Sequence, residues 1–186
     1  MLCLRRWLQI INDWQLTIRS WLIMLPRPTR LENSVWQYID GRLSQPHPQF
    51  GGLPICPYVQ RYRDTIIVRE CDAPARREIK RGLAMMKPRI SAVVLAWREW
   101  RDPKLRRGAD TFERMCDKWQ ARVFDSDITI LLDHPDNPHP VANAWTGFGE
   151  GVLVILQRTS LLERHRAQLQ KTDYYRNFSK QELSDL

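Results

Sequence analysis

Cys56 lies between Pro54 and Pro57 in the segment LPICPYVQRY, a position that favours thiol chemistry. Proline suits the first position of a helix, because the N–H that it lacks would have no partner there. We therefore predict a helix that begins at Pro57, with Cys56 as its N-cap. The positive end of a helix dipole lowers the pKa of a thiol in that position and favours the thiolate. A thiolate serves as a nucleophile, a redox group or a soft metal ligand; the alternative is a half-buried cysteine that only caps a turn.

A second group of reactive side chains follows a predicted strand in the segment LLDHPDNPHP. Asp133, His134, Asp136, Asn137 and His139 lie within seven residues, and three prolines restrict the backbone there. Loops at the ends of strands often carry binding and catalytic groups, and His with Asp relays protons or binds metal ions. The spacing matches no known metal motif, so the alternative is a stiff turn whose Asp and Asn side chains bond to their own backbone.

We predict that these two segments meet in one site at the edge of the sheet. Cys56 would act there as a thiolate or ligand, and His134 or His139 as an acid, a base or a ligand. A guanidinium clamps anions well, which favours that role for Arg158 after the last strand. The candidate catalytic residues are therefore Cys56, His134, His139, Asp133 and Arg158.

Two further histidines complete the set of imidazoles in the chain. His47, in the segment QPHPQFGG, adds a third imidazole to the candidate metal ligands. These candidate ligands are His47, His134 and His139. His165 lies between two arginines in a predicted helix, and we expect it at the surface. The four cysteines include no CxxC pair and no zinc-finger spacing, and Cys71 and Cys116 lie in apolar patterns typical of a core.

The chain carries a formal net charge of +8, which attracts polyanions over a long range. The segment WREWRDPKLRRG combines cations with aromatic rings, a mixture that grips a single nucleic-acid strand through phosphate pairing and base stacking. The candidate nucleic-acid residues are Trp97, Arg98, Trp100, Arg101, Lys104, Arg106 and Arg107. The alternative is a solvated loop, because Lys and Arg are spread through every segment of the chain.

Residues 1–25 predict an amphipathic helix, because apolar side chains recur in steps of three and four. The repeat comprises Leu4, Trp7, Ile11, Trp14, Ile18, Trp21 and Leu25. Its tryptophan face, formed by Trp7, Trp14 and Trp21, would pack on the domain itself, form a homodimer or dock on a protein partner. Contact with a membrane surface is a further alternative, less favoured because the polar face is not rich in Lys. Charged residues interrupt the segment, so we expect neither a membrane span nor a signal peptide, and we expect a cytoplasmic protein. A further alternative is that the natural product starts at Met24.

From residue 26 to residue 186 the chain alternates between predicted strands and helices. The predicted strands are 65–71, 90–98, 128–133 and 151–157, and the helices before or between them are 31–43, 73–87 and 108–124. No helix is predicted between the last two strands, so we expect an antiparallel pair there. The order predicts a single α/β domain with a mixed, mostly parallel sheet of about four strands covered by helices. Ser160 with Glu163, and Ser179 with Glu182, would cap two further helices.

Several motifs in the chain resemble a family of uncharacterised bacterial and phage proteins. The motifs are GGLPICPYV, ISAVVLAW, DHPDNP and GVLVILQRTSLLERHR, in that order. This family has a Cys-Pro-Phe/Tyr motif near its start and a Gln-(Pro)-Arg segment after its last strand. More distantly the chain is similar to the YqcI/YcgG-like proteins, some of which are haem-dependent oxygenases. That similarity implies a haem pocket in which Cys56 matches the early cysteine and Gln157 with Arg158 matches the late segment.

Two functions are compatible with these residues. The first is a small intracellular enzyme with a Cys/His pocket, dependent on redox chemistry, haem or a transition metal. The alternative is a basic accessory protein that binds nucleic acid or a protein partner. No phosphate loop, dinucleotide fingerprint, GxSxG elbow or HExxH motif is present, so the sequence does not indicate the enzyme classes that these motifs mark.

Overall fold

The computed structural model describes residues 27–98, 109–136 and 140–184. Three of the predicted features lie wholly or largely outside these residues. They are the tryptophan face, His139 and most of the basic segment, namely Trp100, Arg101, Lys104, Arg106 and Arg107. The predictions made for them stay predictions.

Helices and strands alternate along the described chain much as the apolar periodicity predicts. The α-helices are α1 (Arg30–Tyr38), α2 (Ala75–Met85), α3 (Ala109–Arg122), α4 (Thr159–Leu169) and α5 (Lys180–Ser184). The strands are β1 (Ile66–Glu70), β2 (Ala92–Trp97), β3 (Thr129–Asp133) and β4 (Val152–Gln157). A π-helical turn, Ile39–Leu43, continues α1, and short 3₁₀ turns span Pro48–Phe50, Gln60–Thr65 and Asp173–Tyr175.

The four strands form one mixed sheet in the order β1-β2-β4-β3. β1 pairs with β2 in parallel, whereas β4 pairs antiparallel with both β2 and β3. Three strands therefore run in one direction, and β4, which follows β3 without a helix between them, runs in the other. The predicted α/β class and mixed sheet are confirmed, but the expectation of a mostly parallel sheet is wrong, because β1 with β2 is the one parallel pair among the three described.

The sheet is covered on both faces, because side chains alternate along each strand. Along β2, Val93, Leu95 and Trp97 pack with α2 and α3. Val94 and Ala96 point the other way and pack with α1. Cys71 and Cys116 are buried on the α2/α3 face, which confirms that they are core residues. The α1/α4 face holds the site described below.

Of the two predicted helix caps, one is confirmed and one is wrong. Ser179 and Glu182 form the expected reciprocal cap at α5, because the Ser179 N–H donates to the Glu182 carboxylate at 2.6 Å. The predicted cap by Ser160 and Glu163 is wrong. α4 begins at Thr159, and the Asp127 carboxylate accepts hydrogen bonds from the backbone N–H and the hydroxyl of Ser160, at 2.7 and 2.9 Å. An acidic side chain from another element thus satisfies the first turn of α4.

Candidate functional site

An open pocket of about 420 Å³ lies on the α1/α4 face of the sheet. The strands contribute its floor, including Val94, Leu153 and Ile155. α1 and α4 form two of its sides, and the segment that carries Cys56 forms another. Most lining side chains are aliphatic or aromatic, so the interior is an apolar surface with few polar groups.

The pocket exists because α4 stands away from the strands. Among the regular elements, α4 packs mainly on the 3₁₀ turn Asp173–Tyr175. Leu161, Leu162, His165 and Leu169 share one side of α4, at helical spacing, and all four line the pocket. The apolar side of the helix therefore faces a cavity instead of closing on the sheet.

Aromatic side chains from the C-terminal part of the chain hold the wall that carries Cys56. The rings of Phe50 and Tyr174 lie 5.2 Å apart, and those of Phe50 and Phe178 lie 5.7 Å apart. The hydroxyl of Tyr174 donates to the carbonyl of Ile55, and the Cys56 N–H donates to the Leu43 carbonyl at 2.8 Å. The cysteine segment is thus fixed between the end of the π-helical turn and the C-terminal aromatic cluster.

Cys56 faces the pocket, as a reactive or ligand-contacting residue would. Its side chain is accessible to solvent although protein atoms surround it on most sides, because it lies on the wall of a concavity. Burial raises the pKa of its thiol, and the backbone N–H groups of Val59 and Tyr58 lower it by less. The predicted lowering of the pKa is therefore wrong. No helix begins at Pro57; residues 57–59 form a single turn before the 3₁₀ turn Gln60–Thr65.

His165 is the histidine that shares this pocket with Cys56, and the sequence analysis missed it. Its ring stacks face to face on Tyr58, with centroids 3.8 Å apart, and its Nε2 lies 3.3 Å from the Tyr62 hydroxyl. Burial lowers the pKa of His165, and the charges of Arg61 and Arg164 lower it further. The expected surface position is wrong, because the residue is half-buried. Its spacing of four from Leu161 and from Leu169 was the available signal.

Neither His134 nor Asp133 lines the pocket that Cys56 faces. His134 is buried and its ring lies 6.1 Å from that of Phe112, which belongs to the α2/α3 face. Its Nδ1 accepts the Asp136 N–H at 3.1 Å, and burial lowers its pKa. The Asp133 carboxylate accepts the Phe148 N–H at 2.8 Å, and burial raises its pKa. The predicted meeting of Cys56 with the 133–139 loop is therefore wrong for His134. Asp133 lies near Tyr38, whose pKa is raised by burial and further by the charges of Asp133 and Cys56, but it does not line the pocket.

Arg158 and His47 also serve the backbone. The guanidinium of Arg158 donates to the carbonyls of Lys87, Met86 and Ile90, at 2.7, 3.2 and 3.3 Å, and so joins the end of β4 to the loop before β2. The Nδ1 of His47 accepts the N–H of Gln49 at 3.2 Å at the start of a 3₁₀ turn. Arg158 as a dedicated anion clamp and His47 as a metal ligand find no support in these contacts.

The described part of the basic segment is built into the domain. Trp97 is 3% exposed, and its indole N–H donates to the Ala73 carbonyl at 3.2 Å. A buried ring cannot stack on a base, so the prediction for Trp97 is wrong. Arg98 lies 3.6 Å from the carboxylate of Glu70. The remaining candidates in this segment lie outside the described residues.

The position of His165 does not favour the haem that the distant similarity implies. An axial ligand presents a thiolate or an imidazole nitrogen to the iron. The His165 ring lies flat against Tyr58 with its Nε2 beside the Tyr62 hydroxyl, so this imidazole is not presented to the cavity as an axial ligand. Within residues 27–98, 109–136 and 140–184, no three His, Cys, Asp or Glu side chains come together as metal ligands.

Comparison with known proteins adds no assignment to this geometry. In the described part of the chain, every helix is too short or too polar to cross a membrane. The resemblance to the bacterial and phage family stays a prediction. No family model, no curated protein and no solved structure matches this chain.

Proposed function

We propose that this protein binds a small molecule with a largely apolar body in the α1/α4 pocket, in contact with Cys56 and His165. The observation that carries the proposal is the apolar cavity of about 420 Å³ with a cysteine side chain open to it. Ligand pockets are typically concave, mostly apolar and equipped with a few polar groups. The proposal retains the Cys/His pocket expected from the sequence, with His165 in place of His134 and His139.

The polar groups of the pocket fall into two sets. The hydroxyls of Tyr38 and Tyr174 donate to the carbonyls of Thr146 and Ile55, and burial raises the pKa of both tyrosines. These hydroxyls remain protonated and hold the pocket walls in place. The second set is the rest of the polar lining, which includes the thiol of Cys56, the imidazole of His165 and the guanidinium of Arg166. We propose that the thiol and the imidazole orient the ligand.

Both of these groups are uncharged near neutral pH. The pKa of the thiol is raised and that of the imidazole is lowered, in each case chiefly by burial. An uncharged thiol is a weak nucleophile, so the arrangement supports binding in preference to thiolate catalysis. The expected contribution of Cys56 is a soft, polarisable contact with the ligand.

Titration with an uncharged apolar fluorophore, N-phenylnaphthylamine, tests the proposal. Leu162 lines the pocket from α4, so Leu162→Trp places a larger side chain where the ligand would lie. Leu183 lies on α5, is 46% exposed and does not line the pocket, so Leu183→Trp is the matched control.

We expect saturable binding to the wild type and to Leu183→Trp, and binding at least about tenfold weaker to Leu162→Trp, because overpacking a filled site costs on the order of 1–3 kcal/mol. Circular dichroism establishes that all three proteins are folded. The proposal is overturned if the folded wild type shows no saturable binding. It is also overturned if folded Leu162→Trp binds the fluorophore as tightly as the control.

A further inference from the structure

A second cavity, a groove of about 500 Å³, adjoins the apolar pocket. The two share wall residues, namely Tyr62, Ser91, Arg158 and Leu161. The two cavities therefore lie side by side along these four residues. The groove differs from the pocket in its charges, which decide what part of a ligand it accepts.

Positive charge predominates in the groove. Its lining includes the guanidinium groups of Arg89, Arg158 and Arg164 and the carboxylate of Asp127. Arg158 donates to backbone carbonyls and lies 3.8 Å from Asp127, whose carboxylate also accepts two hydrogen bonds from Ser160. The carboxylate is thus engaged by Arg158 and Ser160, and the three guanidinium groups leave the groove with a net positive charge.

The other two arginines of the groove are differently placed. Within the described residues, neither Arg89 nor Arg164 lies in an ion pair. Both side chains are exposed, and the charge of Arg164 reaches His165 at the boundary with the pocket. The hydroxyls of Thr65 and Ser91, by contrast, are engaged with each other at 2.8 Å. The groove therefore offers two guanidinium groups to an incoming anion.

We propose that the ligand is an amphiphile, with its apolar body in the pocket and an anionic oxygen head group, carboxylate or phosphate, in the groove. Arg89 and Arg164 pair with the head group. This inference rests on the proposed function, because the apolar body requires the pocket. The juxtaposition of an apolar cavity with an arginine-lined groove is the observation that selects an amphiphilic anion over a neutral ligand.

Displacement of N-phenylnaphthylamine by ligands that share one alkyl chain measures the contribution of the head group. The competitors are dodecanoate, dodecyl phosphate, dodecanol and dodecyltrimethylammonium, each below the concentration at which it forms micelles. The test variant is Arg89→Gln/Arg164→Gln. The control is Arg76→Gln/Arg77→Gln, which removes the same charge from exposed positions of α2, outside the lining of either cavity.

We expect at least one anion to bind about tenfold more tightly than dodecanol, since two exposed ion pairs together contribute roughly that factor. The cation should be the weakest competitor. The preference for the anion should vanish in the Arg89/Arg164 variant, persist in the control and decline with added salt. Whichever anion binds more tightly identifies the head group.

Two results overturn the inference. One is equal displacement by dodecanol and by both anions in the wild type. The other is an anion preference that survives in Arg89→Gln/Arg164→Gln. Both results presuppose saturable fluorophore binding, so they are distinct from failure of the proposed function, in which the fluorophore itself does not bind.

Discussion

Replacement of Asp127 should change stability and anion binding in opposite directions. This carboxylate satisfies the first turn of α4 through Ser160, at 2.7 and 2.9 Å. It is also the acidic side chain among the described residues that line the groove. Removing its charge therefore weakens a helix end and, at the same time, removes the group that repels an anionic head group.

The magnitudes follow from what each substitution deletes. Asp127→Ala removes both hydrogen bonds to Ser160, and loss of such a cap costs about 1 kcal/mol of the free energy of unfolding. Asp127→Asn keeps an acceptor and loses only the interaction of charge with the helix dipole, about 0.5 kcal/mol at an exposed position. The pair with Arg158 at 3.8 Å is partly exposed and adds little. Both variants should bind dodecanoate about two- to fivefold more tightly, since one repelling charge is gone.

The contribution of Asp127 to the free energy of unfolding depends on pH in a defined direction. The backbone hydrogen bond from Ser160 is the main cause that lowers the pKa of Asp127. A carboxyl group with a lowered folded-state pKa stabilises the fold above its unfolded pKa, and this contribution is lost as the pH falls through the folded-state value. The stability difference between the wild type and Asp127→Asn should therefore be full near neutral pH and disappear as the pH falls through the lowered folded-state pKa of Asp127.

Urea unfolding followed by tryptophan fluorescence measures the stability, and fluorophore displacement measures the affinity for dodecanoate. Asp125→Ala is the matched control, because Asp125 is exposed, lies two residues away and does not line the groove. We expect the control to resemble the wild type in both measurements. The reasoning is refuted if Asp127→Ala is as stable as the control, or if it binds dodecanoate more weakly than the wild type does.

Two further predictions follow from burial and backbone packing. In the native protein a thiol reagent should modify Cys56 before the buried Cys71 and Cys116, since burial raises the pKa of both core thiols to about 12. Mass spectrometry before and after unfolding checks this order. Labelling of either core thiol before Cys56 contradicts the prediction. Gly151→Ala places a Cβ 2.3 Å from the carbonyl oxygen of the last residue of β2, so it should cost about 2–4 kcal/mol through overpacking and a disturbed ladder. The control is Gly41→Ala, whose Cβ would meet nothing within 4 Å. Equal urea midpoints for the two variants would contradict the proposed clash between a Cβ at position 151 and the end of β2.

The sequence predicted the helices and strands well, because local periodicity of apolar residues indicates them. The absence of a helical pattern between β3 and β4 correctly indicated an antiparallel pair. The position of β4 between β2 and β3 was not predicted, because strand order depends on contacts between residues far apart in the chain. The boundaries of the strands differ from the predicted ones by only one or two residues.

The site was predicted less well, because a site depends on which face of the sheet each segment reaches. Cys56 stood out in the sequence between Pro54 and Pro57, and the structure places it on the pocket wall. The sequence cannot tell that the chain after β3 turns His134 towards α3, away from this pocket. His165 was passed over because the adjacent arginines suggested a solvated face, whereas its spacing from Leu161 indicated the buried side of α4.

The attachment of the cysteine segment to the C-terminal aromatic cluster has a consequence for the order in which the protein is assembled during synthesis. Tyr174 and Phe178 contact Phe50, and Tyr174 also holds the Ile55 carbonyl. All four strands precede these aromatic residues in the chain. A nascent chain can thus complete its sheet while the wall beside Cys56 still lacks its support. The pocket wall is therefore completed after the core, when residues 174–178 have left the ribosome.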